Sequence, residues 1–321
     1  MIVKRCNTLV TVQDAGRFGF QAQGVPVSGA MDGDSLFSAN LLVGNKPEAA
    51  CLEILSGSLE LYFNECCTLA FTGGGCWATC NGIELPFNKR LQLPANAWVK
   101  LAATSKGLWT YLAVHGGFDV RMELGSRSTY LPASLSGLGR SLQTGDSLEL
   151  LRCDDLKHTE KEIVIMNSWG IPKAENAEFI RVIYGPDFER LTAQAKKDLV
   201  ELCFTISPDS NRIGYRLTGK RLEVNHVEEL ISTPVSCGTV QLSNEGLPMI
   251  LMADAQTIGG YPRIAQVAAV DIPVLAQKRP GESIHFTFIS YDEACRLKLL
   301  RDQHRVKTEI AIRFKLRENV C

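Results

Sequence analysis

The stretch WATCNGIELPFN, residues 77–88, places Asn81-Gly82 between two short apolar runs, and this is the strongest hairpin signal in the chain. Working outward, LEILSGSLELYF (52–63), TLAFTGGG (68–75), RLQLPANAWVKLAA (90–103) and WTYLAVHGGFDV (109–120) are further short apolar runs parted by Gly or Pro. Strand and turn alternating at this spacing predict a β-barrel or sandwich rather than a parallel α/β sheet. Upstream, residues 2–12 (IVKRCNTLVTV) are rich in β-branched types and read as a strand. DGDSLFSANLLVGN then reads as a helix, with Asp34 as the expected cap, Leu36, Phe37, Asn40 and Leu41 at helical spacing, and Gly44 as the stop.

Composition limits the classes open to the chain. Its 321 residues are 45% hydrophobic and 21% charged, enough to bury a core without staples, and suit one large or two middling domains. A formal net charge of −1 argues against a general nucleic-acid footprint or a polybasic membrane patch. The first residues, MIVKRCNTLVTVQD, do not read as a signal peptide, and no run approaches the ~18 apolar residues of a membrane span. The expectation is a cytoplasmic protein. Eleven cysteines, an odd number, then read as free thiols; Cys66-Cys67 and Cys76-x-x-x-Cys80 sit among apolar residues without zinc-site spacing, so they are expected to fill strands of the core, with no metal site.

The two halves carry a faint echo. Gly145-Asp146-Ser147-Leu148 and Gly281-Glu282-Ser283-Ile284 are each a turn with an acid followed by an alternating strand, and each follows an arginine-containing segment. Residues 152–177, charged and containing Pro172, are the best junction, giving domains 1–160 and 161–321, the second with a carboxy-terminal helical tail. In the second half Leu191, Ala195, Leu199 and Leu202 form a helical stripe, and Ser290 with Glu293 begins the basic helix of the tail.

Chemistry-bearing residues gather in five polar, glycine-rich stretches: 12–32, 112–129, 207–219, 237–248 and 254–263. Glycine at this density lets a ligand approach the main chain. Asp14 and Arg17 are close enough in sequence to pair, Asp-Ala-Gly suits a turn, and the first and last stretches are expected to wall one site. Asp14, Arg17 and Asp254 are the candidate catalytic residues. Gln13, Ser28, Asp32, Arg127, Ser128, Arg212, Gln241, Gln256, Thr257, Gly259, Gly260 and Tyr261 are the candidates for substrate binding. Each arginine has an equally weighted alternative, a buried pair that locks a loop. For His115 a hydrogen-bonded core role outweighs that of a base. Gly73-Gly74-Gly75 lacks the lysine of a phosphate-binding loop.

In order along the chain, TVQDAGRFGFQAQGVPVSGAMD, NLLVGN, LAVHGGFD, LGSRST, SNRIGYRLTG, GTVQLSNEGLPMILMADAQTIGGYPRIAQV and AQKRPGESIHF resemble the family of the 5-oxoprolinase C-type subunit and allophanate hydrolase subunit 2, related to urea amidolyase and to biotin-dependent carboxyltransferases. The resemblance runs to about residue 288 and implies a mainly β fold of two cyclophilin-like barrel domains with a few short helices. It also implies partners, a first-subunit protein like allophanate hydrolase subunit 1 and a third 5-oxoprolinase subunit. The implied activity is ATP-dependent hydrolysis of 5-oxo-L-proline to L-glutamate, with ADP and phosphate as products and ATP bound by or with a partner. A lactam is unreactive through amide resonance, so such a site calls for anion-holding cations and N–H groups and for proton transfer. Two alternatives accompany it: the carboxyltransferase part of a urea carboxylase, with biotin on a separate protein, and a non-enzymatic antagonist of a kinase inhibitor.

Overall fold

The computed structural model describes residues 1–151, 162–167, 170–171, 179–225 and 230–318. Two compact units divide it. The first comprises Met1–Arg17, Ser28–Ala174 and Lys307–Cys321, the second Phe18–Val27 and Glu175–Val306. The boundary expected at 160/161 falls outside the described residues.

In the first unit the apolar runs form two antiparallel sheets. One has the order Ile2–Cys6, Leu59–Phe63, Ala97–Ala103, Cys76–Cys80, Ile83–Leu85. The other runs Val164–Ile165, Leu91–Leu93, Cys67–Gly73, Trp109–Val114, Cys51–Leu55, Val10–Gln13. Val3, Leu61 and Val99 from the first sheet share one buried cluster with Val12, Ile54, Phe71 and Leu112 from the second. The predicted hairpin is present: Cys80 pairs with Ile83, and Asn81 and Gly82 have φ of 50° and 87°. Buried Cys51, Cys67, Cys76 and Cys80 are free thiols, and burial pushes each above the usual thiol range, Cys51 and Cys67 the most.

The second unit closes into a seven-stranded barrel in the order Phe179–Tyr184, Arg263–Val267, Thr239–Leu242, Pro248–Leu251, Gly214–Thr218, Phe204–Ile206, Ser283–Phe288. Six of its pairings are antiparallel, and the closing one, Ser283–Phe288 against Phe179–Tyr184, is parallel. Of the two barrels expected, the second unit forms a closed ring, and the first, among the described residues, forms two antiparallel sheets around one core. In the first, residues 147–150 carry single bridges, Ile2 to Ser147 and Phe118 to Leu150, together with hydrogen bonds exchanged with Met1 and received from Asp119.

Helices are few. Gly33–Val43 is capped by Asp32 rather than Asp34: the Asp32 carboxylate accepts from the N–H of Asp34 and Ser35, so the cap lies two residues earlier than expected. Gly44 ends the helix in the left-handed conformation. Ala193–Glu201 starts from Thr192, and Ile272–Ala276 is a short turn of helix. The tail helix, Tyr291–Glu318, is 28 residues long, with the Ser290 hydroxyl accepting from Glu293 N as the sequence suggests. No described helix is long and apolar enough to cross a membrane.

Candidate functional site

The candidate residues form two clusters, one within each unit. In the first, Asp14 is a hub. Its carboxylate accepts from Gly16 N at 2.8 Å, Ser126 Oγ at 2.7 Å, Arg127 N at 2.6 Å and Ser128 Oγ at 2.6 Å. The bond from Gly16 is the turn expected of Asp-Ala-Gly. The expected partner, Arg17, is not among these donors. Arg17 is buried and donates through Nη2 to the Ser128 carbonyl and, at 3.2 Å, to Ser136 Oγ. Ser128 therefore joins the two side chains, its hydroxyl on Asp14 and its carbonyl on Arg17. The physical reason is the strand-like spacing of Ser126-Arg127-Ser128, which turns both serine hydroxyls to one side.

Gln13 is fully buried and donates to Thr11 Oγ1 and Thr129 O, both at 3.0 Å, while its Oε1 accepts nothing among the described residues. Ser28 is one of the non-glycine residues in the left-handed region, with φ 56°, and its buried hydroxyl has no partner among the described residues. Gly29 follows with φ 85°; a Cβ there would stand 3.0 Å from Ala15 C and Gly16 N, so the two segments cross in close contact. Ala30 N donates to Asp14 O at 3.0 Å. Asp32 N donates to Tyr111 OH at 2.7 Å, and that hydroxyl donates to Glu53 Oε2 at 2.7 Å. Burial and then the Glu53 carboxylate push the Tyr111 hydroxyl well above its usual range. His115 is half-buried and places Nδ1 2.5 Å from the Val43 carbonyl at the helix end.

In the second unit Arg212 and Asp254, both 5% exposed, form a two-pronged pair at 2.7 and 2.9 Å. This is the loop-locking alternative weighed for each arginine. Gln241 is buried, its Nε2 donating to Tyr261 O at 3.4 Å and its Oε1 unpartnered. A Cβ on Gly259 would fall 2.6 Å from Gln241 Nε2, so the strand Ile258–Gly259, paired with Thr233–Pro234, lies directly over the end of that side chain. Thr257 accepts from Val235 N through its carbonyl at 3.0 Å. Gln256, Gly260 and Tyr261 are exposed. A pocket of about 270 Å³ lies nearby, lined among others by Pro234, Ser236, Thr239, Arg263 and Gln266.

Sequence reasoning passed over Ser126, Ser136, Glu53 and Tyr111. The acid within the apolar run LEIL was the available signal for Glu53, and the alternating serines of LGSRST were that for Ser126.

Residues 23–288 match the family model described as carboxyltransferase domain, subdomain A and B. The chain is 37% identical to the C-type subunit of 5-oxoprolinase from Escherichia coli over 97% of both chains. It is 29% identical to urea amidolyase of Saccharomyces cerevisiae over 91% of this chain but 17% of that one. The crystal structure of Kluyveromyces lactis urea carboxylase superposes with a TM-score of 0.85 at 28% identity, covering 94% of this chain and 28% of that one. With its seven-stranded barrel and these matches along nearly its full length, the chain belongs to the carboxyltransferase-domain family, subdomains A and B, as a relative of the 5-oxoprolinase C-type subunit.

Proposed function

We propose that this chain is the C-type subunit of a cytoplasmic, multi-subunit 5-oxoprolinase that hydrolyses 5-oxo-L-proline to L-glutamate with consumption of ATP. The observation that carries the reading is the 37% identity to the corresponding Escherichia coli subunit over 97% of both chains. The partners would be a first-subunit protein like allophanate hydrolase subunit 1 and a third subunit. ATP supplies activation of the unreactive lactam carbonyl.

Gly73-Gly74-Gly75, which lacks the lysine of a phosphate-binding loop, is also closely packed. Cβ atoms on Gly73 and Gly75 would lie 2.3 Å from Trp109 O and 2.4 Å from Leu108 O, so these glycines serve close strand packing. Arg212 is engaged by Asp254. In this reading ATP therefore belongs to the partner subunits, and this chain holds and orients the organic substrate.

A second reading is favoured by the TM-score of 0.85 to urea carboxylase: transfer of a carboxyl group from carboxybiotin carried on a separate protein. The test is reconstitution with the two partner subunits and assay for ATP-dependent glutamate formation from 5-oxoproline. Activity that needs all three proteins supports the first reading. Carboxyl transfer from free carboxybiotin without hydrolysis replaces it with the second, and a stable complex without either turnover leaves a binding protein.

A further inference from the structure

The cavity of about 270 Å³ in the second unit brings four stretches of chain to one space. Arg263 and Ala265 reach it from one barrel strand and Thr239 from the strand paired with it, while Pro186 and the run 234–236 supply the remaining walls. The backbone fixes those walls. Gly185 N donates to Ile264 O and Asp187 N to Arg263 O, both at 3.1 Å. A Cβ on Gly185 would stand 2.1 Å from Arg263 O, so glycine lets Pro186 lie close against the strand. Val235 N donates to Thr257 O at 3.0 Å, which fastens the run 234–236 to the glycine-rich stretch 254–263.

Part of the polar lining is satisfied within the wall itself. Thr239 Oγ1 donates to Gln266 Oε1 at 2.9 Å and accepts from Ser236 N at 3.2 Å, and Gln266 Nε2 donates to Cys237 O at 2.9 Å. Two donors are left over. Arg263 Nε donates to Asp187 Oδ2 at 3.2 Å and Nη1 reaches Pro234 O only at 3.4 Å, while Nη2 has no acceptor among the described residues. The Ser236 hydroxyl likewise has no partner among the described residues. Asp187 also accepts from Arg263 N at 2.9 Å, so it anchors the arginine from the Nε side and leaves the outer edge of the guanidinium open. Arg190 Nε lies 3.8 Å from the other oxygen of Asp187, and two cations around one carboxylate keep the group positive.

We propose that this cavity binds a small ring acid, with the Arg263 guanidinium and the Ser236 hydroxyl on its carboxylate and Pro186, Pro234, Val235 and Ala265 against its ring; this deepens the 5-oxoprolinase reading and rests on it for the identity of the acid. The planar edge of a guanidinium matches a carboxylate, and the hydroxyl supplies one further donor. A volume of about 270 Å³ falls below the roughly 300–1,000 Å³ of sites for drug-sized ligands, so the ligand is small. A nucleotide polyphosphate calls for several cations or a cradle of N–H groups, whereas Arg263 is the one cation lining this cavity and shares a carboxylate already.

The experiment is an NMR titration of the full chain, with kinetics of the reconstituted three-subunit enzyme beside it. 5-Oxoproline is expected to shift the amide signals of Ser236, Thr239 and Ala265, and 2-pyrrolidinone, the same ring without the carboxylate, to bind about 10-fold or more weakly. R263Q is expected to weaken 5-oxoproline about 10-fold or more and to leave 2-pyrrolidinone unchanged. S236A is expected to melt with wild type and to weaken 5-oxoproline about 3-fold. Shifts confined to other residues, or equal affinity for the two rings, overturn the proposal. If R263Q does not fold, R263K decides, since it keeps the charge without the planar fork: a loss of about 3-fold or more supports the site, and unchanged affinity overturns it. In the complex the same variants are expected to raise KM for 5-oxoproline with a smaller change in kcat. Turnover with unchanged KM overturns the Arg263 assignment and leaves the subunit reading intact. Absence of turnover by the complete wild-type complex overturns the subunit reading; the cavity then stands if the titration of the chain reads as expected and falls if it does not.

Discussion

The turn at Gly145-Asp146 in the first unit and the turn at Gly281-Glu282 in the second follow one hydrogen-bond plan. Gly145 N donates to Val3 O and Val3 N to Asp146 O; Gly281 N donates to Ile206 O and Ile206 N to Glu282 O. In each, the acid's side chain accepts from the backbone three residues earlier, Gln143 N in one and Arg279 N in the other. Both glycines lie in the left-handed region, at φ 96° and 89°. Beyond the turns the units part. Ser283–Phe288 is a six-residue strand paired on both edges, with Phe204–Ile206 and with Phe179–Tyr184, and so completes a ring. Residues 147–150 instead carry single bridges, to Ile2 and Phe118, with Met1 and Leu148 exchanging two hydrogen bonds and Asp119 N donating to Glu149 O. The difference shows that turn chemistry sets where a strand begins, while closure depends on the residues beyond the turn. SIHFTF offers isoleucine and two phenylalanines over a full strand length, whereas SLEL runs within two residues into the charged segment RCDD.

The contrast is tested first where it should be largest. Phe286, 2% exposed on the closing strand, is expected to cost about 3–5 kcal/mol when changed to alanine. Leu148, equally buried but on a segment joined by single bridges, is expected to cost about 2–3 kcal/mol, as a smaller aliphatic side chain leaves a smaller cavity. Urea denaturation of the two variants reads the gap; a larger loss at Leu148 would mean that the bridged segment carries as much order as the barrel strand. The likeness of the turns is tested next. A Cβ on Gly145 or Gly281 would meet nothing within 4 Å, so alanine is opposed only by backbone conformation. Each change is expected to cost about 1–2 kcal/mol, and the two to agree within about 0.5 kcal/mol, the tolerance of independent sites. Unequal losses would show that the shared plan hides different strain.

These turns were legible before any coordinates, as were the Asn81-Gly82 hairpin and the stop at Gly44, because each is decided by the φ preference of one or two neighbouring residues. The Asp14 hub was legible only in part. Its Gly16 bond is local, but Ser126 and Ser128 reach it across 112 and 114 residues, and no local preference announces a contact of that range. Arg212 and Asp254 stand 42 residues apart, and the sequence left open whether that arginine faced a ligand or a carboxylate. Glu53 shows the same limit: an acid inside LEIL breaks the apolar pattern, yet the tyrosine hydroxyl that answers it comes from a strand 58 residues on.

The smallest effect concerns the one feature the two turns do not share. Asp146 is gripped by Arg140 through two bonds of 2.7 Å, while the Glu282 carboxylate lies 4.0 Å from Lys278 Nζ. The Arg140 guanidinium, helped by Gln143 N, holds the Asp146 carboxyl below the usual aspartate range. A folded value below the unfolded one means that the group adds stability above the unfolded aspartate value of about 3.9 and loses that contribution as pH falls through the lower folded value. Arg140 is 46% exposed, so solvent screens the pair and its worth is about 0.5 kcal/mol. D146N should therefore lower stability by about that amount at pH 7 and converge on wild type in strong acid, and the difference at pH 7 should shrink in 1 M salt. If the D146N loss persists unchanged at low pH and high salt, the turn is held by the backbone bonds of its acid residue rather than by the charge, and the first turn would then match the second in this respect as well.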